Sequence, residues 1–166
     1  MYKPQSTPSL AFGTVDLETV KSEVLYMKSL DDFNIKVDIP VAWGDMDTLG
    51  HVNNTLFFRY FETARIKYFE KIRFLETLEK NSIGPILAEI SAKFIKPLFY
   101  PDTLTVGTRV TSIEPTQFVM EYIIESKSKG ICAVGESTMV VYDYKSSKRA
   151  TLPAIVRERI REIDSI

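Results

Sequence analysis

Apolar and polar residues alternate strictly along one short segment, IKVDIPV at 35–41. One face carries Ile35, Val37, Ile39 and Val41. This period of two predicts a half-buried β-strand. Pro40 has no N–H to donate to a neighbouring strand, so we expect the end of this strand at the edge of a sheet.

The segment 53–75 has the periodicity of an α-helix instead. Apolar residues recur three or four positions apart, at Phe57, Phe61, Ala64, Tyr68, Ile72 and Leu75. Three more apolar residues, Phe58, Ile66 and Phe69, widen this stripe into an arc broader than that of a surface helix. We therefore expect one long helix of about 20 residues, roughly 30 Å, embedded in the core.

Strand-like segments fill most of the second half of the chain, at 85–95, 103–113, 117–126 and 131–144. The connections EPT and KSKG are short enough for β-hairpins. The last apolar periodicity, in LPAIVRERIREID, predicts a carboxyl-terminal helix that buries Val156, Ile160 and Ile163.

The patterns before residue 33 are weaker. Residues 1–14 contain Pro, Ser, Thr and Gly and suggest a loose arm, whereas a faint apolar stripe over 16–30 predicts a short helix. We divide the chain accordingly into an amino-terminal extension, 1–32, and a single domain, 33–166.

The order of these elements predicts an α+β domain. One strand, a long apolar helix and four consecutive strands bury the helix well if the strands form a curved antiparallel sheet around it. That arrangement is the hotdog fold, although the order of elements alone is compatible with other α+β folds.

Composition narrows the class of protein. The chain has 166 residues and a formal net charge of −1, so its charge does not favour nucleic acid or an anionic membrane as a partner. No apolar run reaches the roughly 18 residues of a membrane-spanning helix, and the start lacks the apolar core of a signal peptide. The single cysteine, Cys132, excludes an internal disulfide. We expect a cytoplasmic protein.

Hydrogen-bonding side chains are concentrated at 43–54, WGDMDTLGHVNN, directly before the predicted helix. Either Asn53 or Asn54 suits the N-cap, because its side-chain oxygen can accept from an early helical N–H. The first helical N–H groups have no intrahelical partner and suit an oxygen that gains negative charge. Gly50 allows close backbone approach or a positive φ.

The two acids of this segment have two interpretations. Asp45 and Asp47 point to opposite sides if the segment is extended. A carboxylate beside a helix N-terminus can orient water, act as a general base or attack directly, but both residues are equally compatible with turn and capping roles. His51 suits proton transfer or a hydrogen bond to the loop backbone.

Cofactor motifs are missing from the sequence. It contains no second histidine and no cysteine cluster, so we expect no metal site. It also lacks a Gly-rich phosphate loop and a GxSxG motif, and we expect no cofactor.

The segment WGDMDTLGHVNNTLFFRYFETAR resembles the signature region of the 4-hydroxybenzoyl-CoA thioesterase-like family of hotdog acyl-CoA thioesterases. The shared pattern is an aromatic residue, Asp-x-Asp, glycine, valine and a helix with Y-x-E-x-A-R, here Tyr60, Glu62, Ala64 and Arg65. FIKPLFYPDTLTVGTRV is similar to the family's turn between later strands, and the resemblance covers about 33–145.

This resemblance implies roles for individual residues. Asp47 corresponds to the catalytic carboxylate, and the backbone N–H of Asn54 to the group that polarises the thioester carbonyl. Plant acyl-carrier-protein thioesterases use an Asp-x-Asn-x-His set, which Asp47 and His51 match but in which Leu49 replaces the asparagine. The catalytic role of His51 is therefore left open.

Glu62 is a further catalytic candidate, because some branches of the family use an acid on the helix. Its alternative role is an ion pair with Arg59 or Arg65 at helical spacing. Asp47 remains the stronger candidate of the two acids.

The resemblance implies an acyl-CoA thioesterase that releases free acid and CoA. The alternatives are an acyl-carrier-protein thioesterase and a non-catalytic acyl-CoA-binding hotdog domain. Expected substrate-binding residues are Gly50, Val52, Asn53, Phe57, Phe58 and Tyr60, with Phe94 as a further candidate wall. A group of basic residues near the carboxyl terminus is compatible with three roles: binding a carrier protein, binding the CoA phosphates, or simple exposure to solvent. These residues are Lys145, Lys148, Arg149, Arg157, Arg159 and Arg161.

Hotdog proteins pair their sheets edge to edge, which implies a homodimer or homotetramer.

Overall fold

A computed structural model describes residues 29–166 of the chain. The short helix predicted over 16–30 lies outside these residues except for its last two, and Leu30 begins a 3-10 turn, Leu30–Asp32. The division into an extension, 1–32, and a domain, 33–166, stays a prediction.

In the described part of the chain, six strands form one antiparallel sheet. They are β1 (Ile35–Pro40), β2 (Ile83–Phe94), β3 (Thr103–Ile113), β4 (Gln117–Ser126), β5 (Gly130–Asp143) and β6 (Lys148–Arg149). The spatial order is β1-β3-β4-β5-β2, and the short β6 pairs with β5. The five predicted strands are confirmed within two residues at each end, and β1, which contains Pro40, lies at an edge as expected.

Three α-helices of residues 29–166 accompany the sheet: α1 (Asn54–Lys71), α2 (Phe74–Asn81) and α3 (Ala154–Asp164). Strands and helices together give the α+β arrangement predicted from the order of the elements. The helix α3 packs near β3, and its residues Val156 and Ile160 are buried. Within residues 29–166, no helix is long and apolar enough to cross a bilayer.

The single long helix predicted over 53–75 is wrong in one respect, because the chain breaks it after Lys71. Arg73 adopts a left-handed conformation with φ 55° and separates α1 from α2. Ile72 and Phe74 are both fully buried, whereas residues two apart on a continuous helix face nearly opposite directions. The break lets both side chains enter the core while α2 leads into β2.

The helix α1 is embedded in the concave face of the sheet. Its residues Phe61, Ala64 and Tyr68 have no exposed surface. The ring of Phe61 stacks on Tyr122 of β4 with 4.7 Å between centroids. Ile66, which we expect within the buried arc, is 41% exposed, so the buried arc of α1 is narrower than the sequence predicts.

Gly135 of β5 sets how closely α1 approaches the sheet. A Cβ at this position would lie 2.5 Å from Phe61 Cε2 and 2.7 Å from the Ser91 carbonyl oxygen. These distances are too short for any side chain, so the strand must carry glycine here for Phe61 to seat.

We expect Gly135→Ala to lower the free energy of unfolding by about 1–3 kcal/mol, the usual cost of overpacking a core. Gly44→Ala is the control, because nothing lies within 4 Å of a Cβ there. Urea denaturation followed by circular dichroism measures both. Equal stability of the two variants would contradict the close contact between Phe61 and β5.

Candidate functional site

The candidate site is built from two loops that meet at the N-terminal end of α1. The first connects β1 to α1, and the second connects β2 to β3. The N–H of Val52 in the first donates to the Leu98 carbonyl in the second at 2.9 Å. This hydrogen bond holds the acidic segment against the end of β2.

The acidic segment folds back on itself as a tight loop. Asp47 and His51 face each other, with the Asp47 N–H donating to the His51 carbonyl at 2.9 Å. Gly50 lies between them with φ 82°, and no atom lies within 4 Å of a Cβ built on it. The conformation, rather than a close approach, therefore requires glycine at this position.

The structure decides between the two candidate N-caps of α1. Asn53 is the cap, since its Oδ1 accepts from the Thr55 N–H at 3.0 Å and from Thr55 Oγ1 at 2.9 Å. Asn54 is then the first helical residue, and its N–H has no intrahelical acceptor. The positive end of the helix dipole therefore lies at Asn54.

Asp47 has two partners within its own loop. Its Oδ1 accepts from the Leu49 N–H at 2.8 Å, and its Oδ2 lies 3.3 Å from His51 Nδ1. The Asp47 side chain keeps 22% of its surface exposed. The carboxylate is thus oriented by two neighbours and still accessible to a ligand.

Asp45 has a different environment. Its Oδ2 accepts from the Ala42 N–H at 3.0 Å and from the Tyr60 hydroxyl at 2.8 Å. Burial, together with this hydrogen bond and the carboxylate charge, raises the pKa of Tyr60 above its usual range. Asp45 therefore joins the loop to α1, and the two acids take separate partners. Asp45 ends a 3-10 turn, Trp43–Asp45, so the segment is not the extended one for which the alternation predicts opposite directions.

A cavity of about 480 Å³ opens beside Asp47. Its wall is largely apolar and is formed by Asp47, Leu49, His51, Val52, Asn54, Phe57, Phe94, Ile95, Lys96 and Pro97. Phe57 and Phe94 meet edge to face with 5.0 Å between centroids. The cavity thus brings a carboxylate, an imidazole and a helix N-terminus together at an apolar surface.

Six of the residues singled out from the sequence line this cavity: Asp47, His51, Val52, Asn54, Phe57 and Phe94. The others lie behind or beside it. Gly50 and Asn53 shape the loop and the cap, Tyr60 holds Asp45, and the Phe58 ring lies edge-on to Phe94 at 6.5 Å.

Glu62 lies outside the residues that line the cavity. Its side chain is 51% exposed, and its Oε2 is 3.7 Å from Arg59 Nε. This is the ion-pair alternative considered for Glu62, with Arg59 rather than Arg65 as the partner. Arg65 is instead buried and donates to the Tyr122 hydroxyl at 3.3 Å.

Three wall residues, Ile95, Lys96 and Pro97, were not assigned to a site from the sequence. They follow β2, and they lie beside Asp47 because the Val52–Leu98 hydrogen bond joins the two loops. The segment FIKPLFYPD, which contains all three, is part of the family resemblance. That resemblance does not give a role to any single residue of the segment.

Other reactive groups do not join this site. The Cys132 thiol is buried, and burial raises its pKa, so the thiolate is disfavoured. Among residues 29–166, no group of three or more His, Cys, Asp or Glu side chains is placed to hold a metal ion.

Comparison with known proteins identifies the same fold and reaction class. A family model described as the thioesterase-like superfamily matches residues 41–160. A thioesterase from Thermus thermophilus, solved with coenzyme A and Zn, is 29% identical with a TM-score of 0.72, covering 82% of this chain and 98% of that one. The predicted hotdog fold and thioester-hydrolase class are confirmed.

Two further proteins share this similarity. The long-chain acyl-CoA thioesterase FadM of Escherichia coli (strain K12) is 22% identical over 130 residues, which is 78% of this chain and 98% of FadM. A 1,4-dihydroxy-2-naphthoyl-CoA thioesterase from Synechocystis has the same fold, with 20% identity and a TM-score of 0.70 over 78% of this chain and 97% of that one.

We expect Tyr60→Phe to lower the free energy of unfolding by about 1–3 kcal/mol, because the partly buried Asp45 loses a hydrogen-bond donor. The pKa of Tyr60 is raised in the folded state, so its contribution is complete below the unfolded pKa of about 10 and falls as pH rises further. Urea denaturation at neutral pH and above pH 10 measures this. Tyr100→Phe, at an exposed position, is the control, and equal stabilities at neutral pH would refute the role of the hydrogen bond.

Proposed function

The chain belongs to the thioesterase-like superfamily, and on this premise we propose that it hydrolyses the thioester of an acyl-CoA to free acid and CoA, with Asp47 as the catalytic carboxylate. The observation that carries the proposal is that Asp47 and Asn54, the first residue of α1, line one apolar cavity. A non-catalytic acyl-CoA-binding domain would have no chemical need for an accessible carboxylate there.

The reaction needs an oxyanion site, and the start of α1 supplies it in this proposal. The thioester carbonyl oxygen points to the Asn54 N–H, where the free donor and the helix dipole stabilise the charge that develops under attack. These donors are fixed before substrate binds, so no reorganisation is needed during the reaction. The adjoining apolar wall, which includes Phe57 and Phe94, receives the acyl group.

Asp47 has two chemically reasonable roles beside this oxyanion site. It either attacks the thioester carbon directly or removes a proton from the attacking water. Its Oδ1 is engaged by the Leu49 N–H and its Oδ2 faces His51 at 3.3 Å. We assign His51 a positioning role, since it orients the oxygen that reacts.

Leu49 accounts for the missing asparagine of the Asp-x-Asn-x-His arrangement. Its backbone N–H donates to Asp47 at 2.8 Å, and any residue except proline supplies that donor. The side chain at this position is thereby free to be apolar, and Leu49 forms part of the cavity wall. The incomplete match to the carrier-protein thioesterases therefore does not argue against catalysis by Asp47.

We expect Asp47→Asn to lower kcat by at least about 10²–10⁴-fold, the usual scale for a group that acts as acid, base or nucleophile. KM should change little, because the carboxylate acts mainly on the transition state. The assay is release of free thiol from a panel of aliphatic, branched and aromatic acyl-CoAs. Asp45→Asn is the matched control and should keep most of kcat while losing stability.

Three outcomes of this experiment discriminate further. Wild-type rates for Asp47→Asn on every substrate would refute the mechanism, and loss of turnover in Glu62→Gln alone would transfer the role to Glu62. If Asp47 is the nucleophile, single-turnover hydrolysis in ¹⁸O water labels its carboxylate when water attacks the enzyme carbonyl of the anhydride. A general base stays unlabelled.

We further propose that the chain assembles as a homodimer through β2, with a tetramer as the larger alternative. Among residues 29–166, β2 ends the sheet and no strand pairs with its outer side. A long open strand edge favours pairing with a second copy. Leu87 on this strand is 41% exposed, as is Ile66 on α1. A second sheet joined at this edge would give both side chains an apolar neighbour.

We expect Leu87→Lys to shift the protein from dimer to monomer, because the new charge would be buried at the joined edge. Light scattering at micromolar concentration measures the mass. Ile155→Lys, at a similarly exposed position on α3, should leave the dimer intact. A monomeric wild-type protein would contradict the assembly while leaving the reaction untouched.

A further inference from the structure

Lys96, after β2, and Lys129, in the β4–β5 turn, each contact the loop that contains the other, beside the cavity. Lys96 lines the cavity together with Asp47, and its Nζ donates to the backbone carbonyl of Lys129 in the β4–β5 turn. Lys129 Nζ reaches back to the Pro97 carbonyl at 3.2 Å and lies 3.8 Å from the centroid of the Phe99 ring. Both ammonium groups are therefore held in place by backbone carbonyls of the opposite loop.

Within residues 29–166, neither lysine forms an ion pair with a carboxylate. Asp102, the acid of the adjoining loop, is engaged by Ser126 Oγ at 2.5 Å and by the Thr103 N–H at 2.7 Å. An ammonium group has three N–H donors. Each lysine therefore keeps donors and a positive charge for an anion that arrives from outside.

Two of the carboxyl-terminal basic residues, Arg149 and Arg159, lie far from the cavity. Arg159 donates to the Ile72 carbonyl at 3.1 Å, just beyond the last turn of α1, and 18 helical residues separate this turn from Asn54 by about 27 Å. Arg149 pairs with Tyr142 near the end of β5, whereas Phe94 at the cavity pairs with Ala133 near its start. Those residues do not share the cavity with Asp47.

We propose that Lys96 and Lys129 bind the diphosphate of the CoA moiety, while the pantetheine arm enters the cavity towards Asp47 and Asn54. This inference rests on the proposed acyl-CoA substrate. Ammonium groups form charge-assisted hydrogen bonds with phosphate oxygens. Lys96 places such a donor in the cavity wall, and Lys129 places one beside Pro97 of the same wall. An uncharged acyl chain cannot form ion pairs with these lysines, so their partner is the phosphate-bearing end of the substrate.

The test compares three thioesters with the same acyl group: acyl-CoA, acyl-4′-phosphopantetheine and acyl-pantetheine. The double variant Lys96→Gln/Lys129→Gln should lose about 10–100-fold in kcat/KM on acyl-CoA, mostly through KM, the scale of one or two hydrogen bonds to charged groups. On acyl-pantetheine it should stay within about twofold of the wild type. Lys127→Gln, in the same turn and exposed, removes an equal charge and should have little effect.

Each alternative result has a definite meaning. An equal loss on all three thioesters, or the same loss from Lys127→Gln, would overturn the phosphate site. Full efficiency of the wild type on acyl-4′-phosphopantetheine would overturn the diphosphate and indicate the single phosphate that a carrier protein also presents. A wild type that cleaves no acyl thioester would instead refute the proposed function.

A rescue variant and inhibition measurements distinguish loss of the phosphate site from a folding defect. The double variant Lys96→Arg/Lys129→Arg keeps both charges and should recover most of the efficiency on acyl-CoA. Dephospho-CoA keeps the diphosphate link and the pantetheine arm and lacks only the 3′-phosphate, so it should inhibit the wild type nearly as strongly as CoA does. CoA inhibition should weaken in the glutamine variant and in high salt, and unchanged CoA inhibition in a folded variant would contradict the site.

Discussion

The contact of Phe61 with β5 is the constraint on which the rest of the structure depends. The absence of a side chain at Gly135 lets Phe61 reach the sheet and stack on Tyr122, and this fixes the depth of α1 in the concave face. Because α1 is rigid over its 18 residues, its depth also fixes where Asn54 lies. The position of a helix N-terminus beside the cavity is thus a consequence of core packing about two turns further along.

The two acids of the loop show how one short segment combines stability with reactivity. Asp45 takes Ala42 and Tyr60 as donors and joins the loop to the helix. Asp47, two residues later, is held within the loop by Leu49 and faces the cavity. The partners of Asp45 lie outside the cavity wall, and the Asp47 side chain keeps 22% of its surface exposed.

The strands, the hairpins and the capped start of the helix could be predicted because their signals are local: alternation, short turn segments and an amide at the cap. The break at Arg73 could not, since the apolar period continues through Ile72 to Leu75 and no Gly or Pro marks the interruption. The wall residues Lys96 and Pro97 also escaped assignment. They belong to the site through the Val52–Leu98 hydrogen bond, a contact between segments that no local pattern encodes.

Electrostatics links the proposed reaction to the proposed phosphate site. Asp47 must be ionised to attack or to accept a proton, yet an ionised carboxylate repels a substrate that carries several phosphate charges. In the proposed complex, positive groups offset this repulsion: the N-terminus of α1 acts on the reacting carbonyl, and Lys96, in the cavity wall, and Lys129, against Pro97, bind the phosphates. The negative and positive groups hence act on different parts of one substrate. In this proposal, a catalytic carboxylate operates on a polyanion because the cations bind its anionic end apart from the reacting atoms.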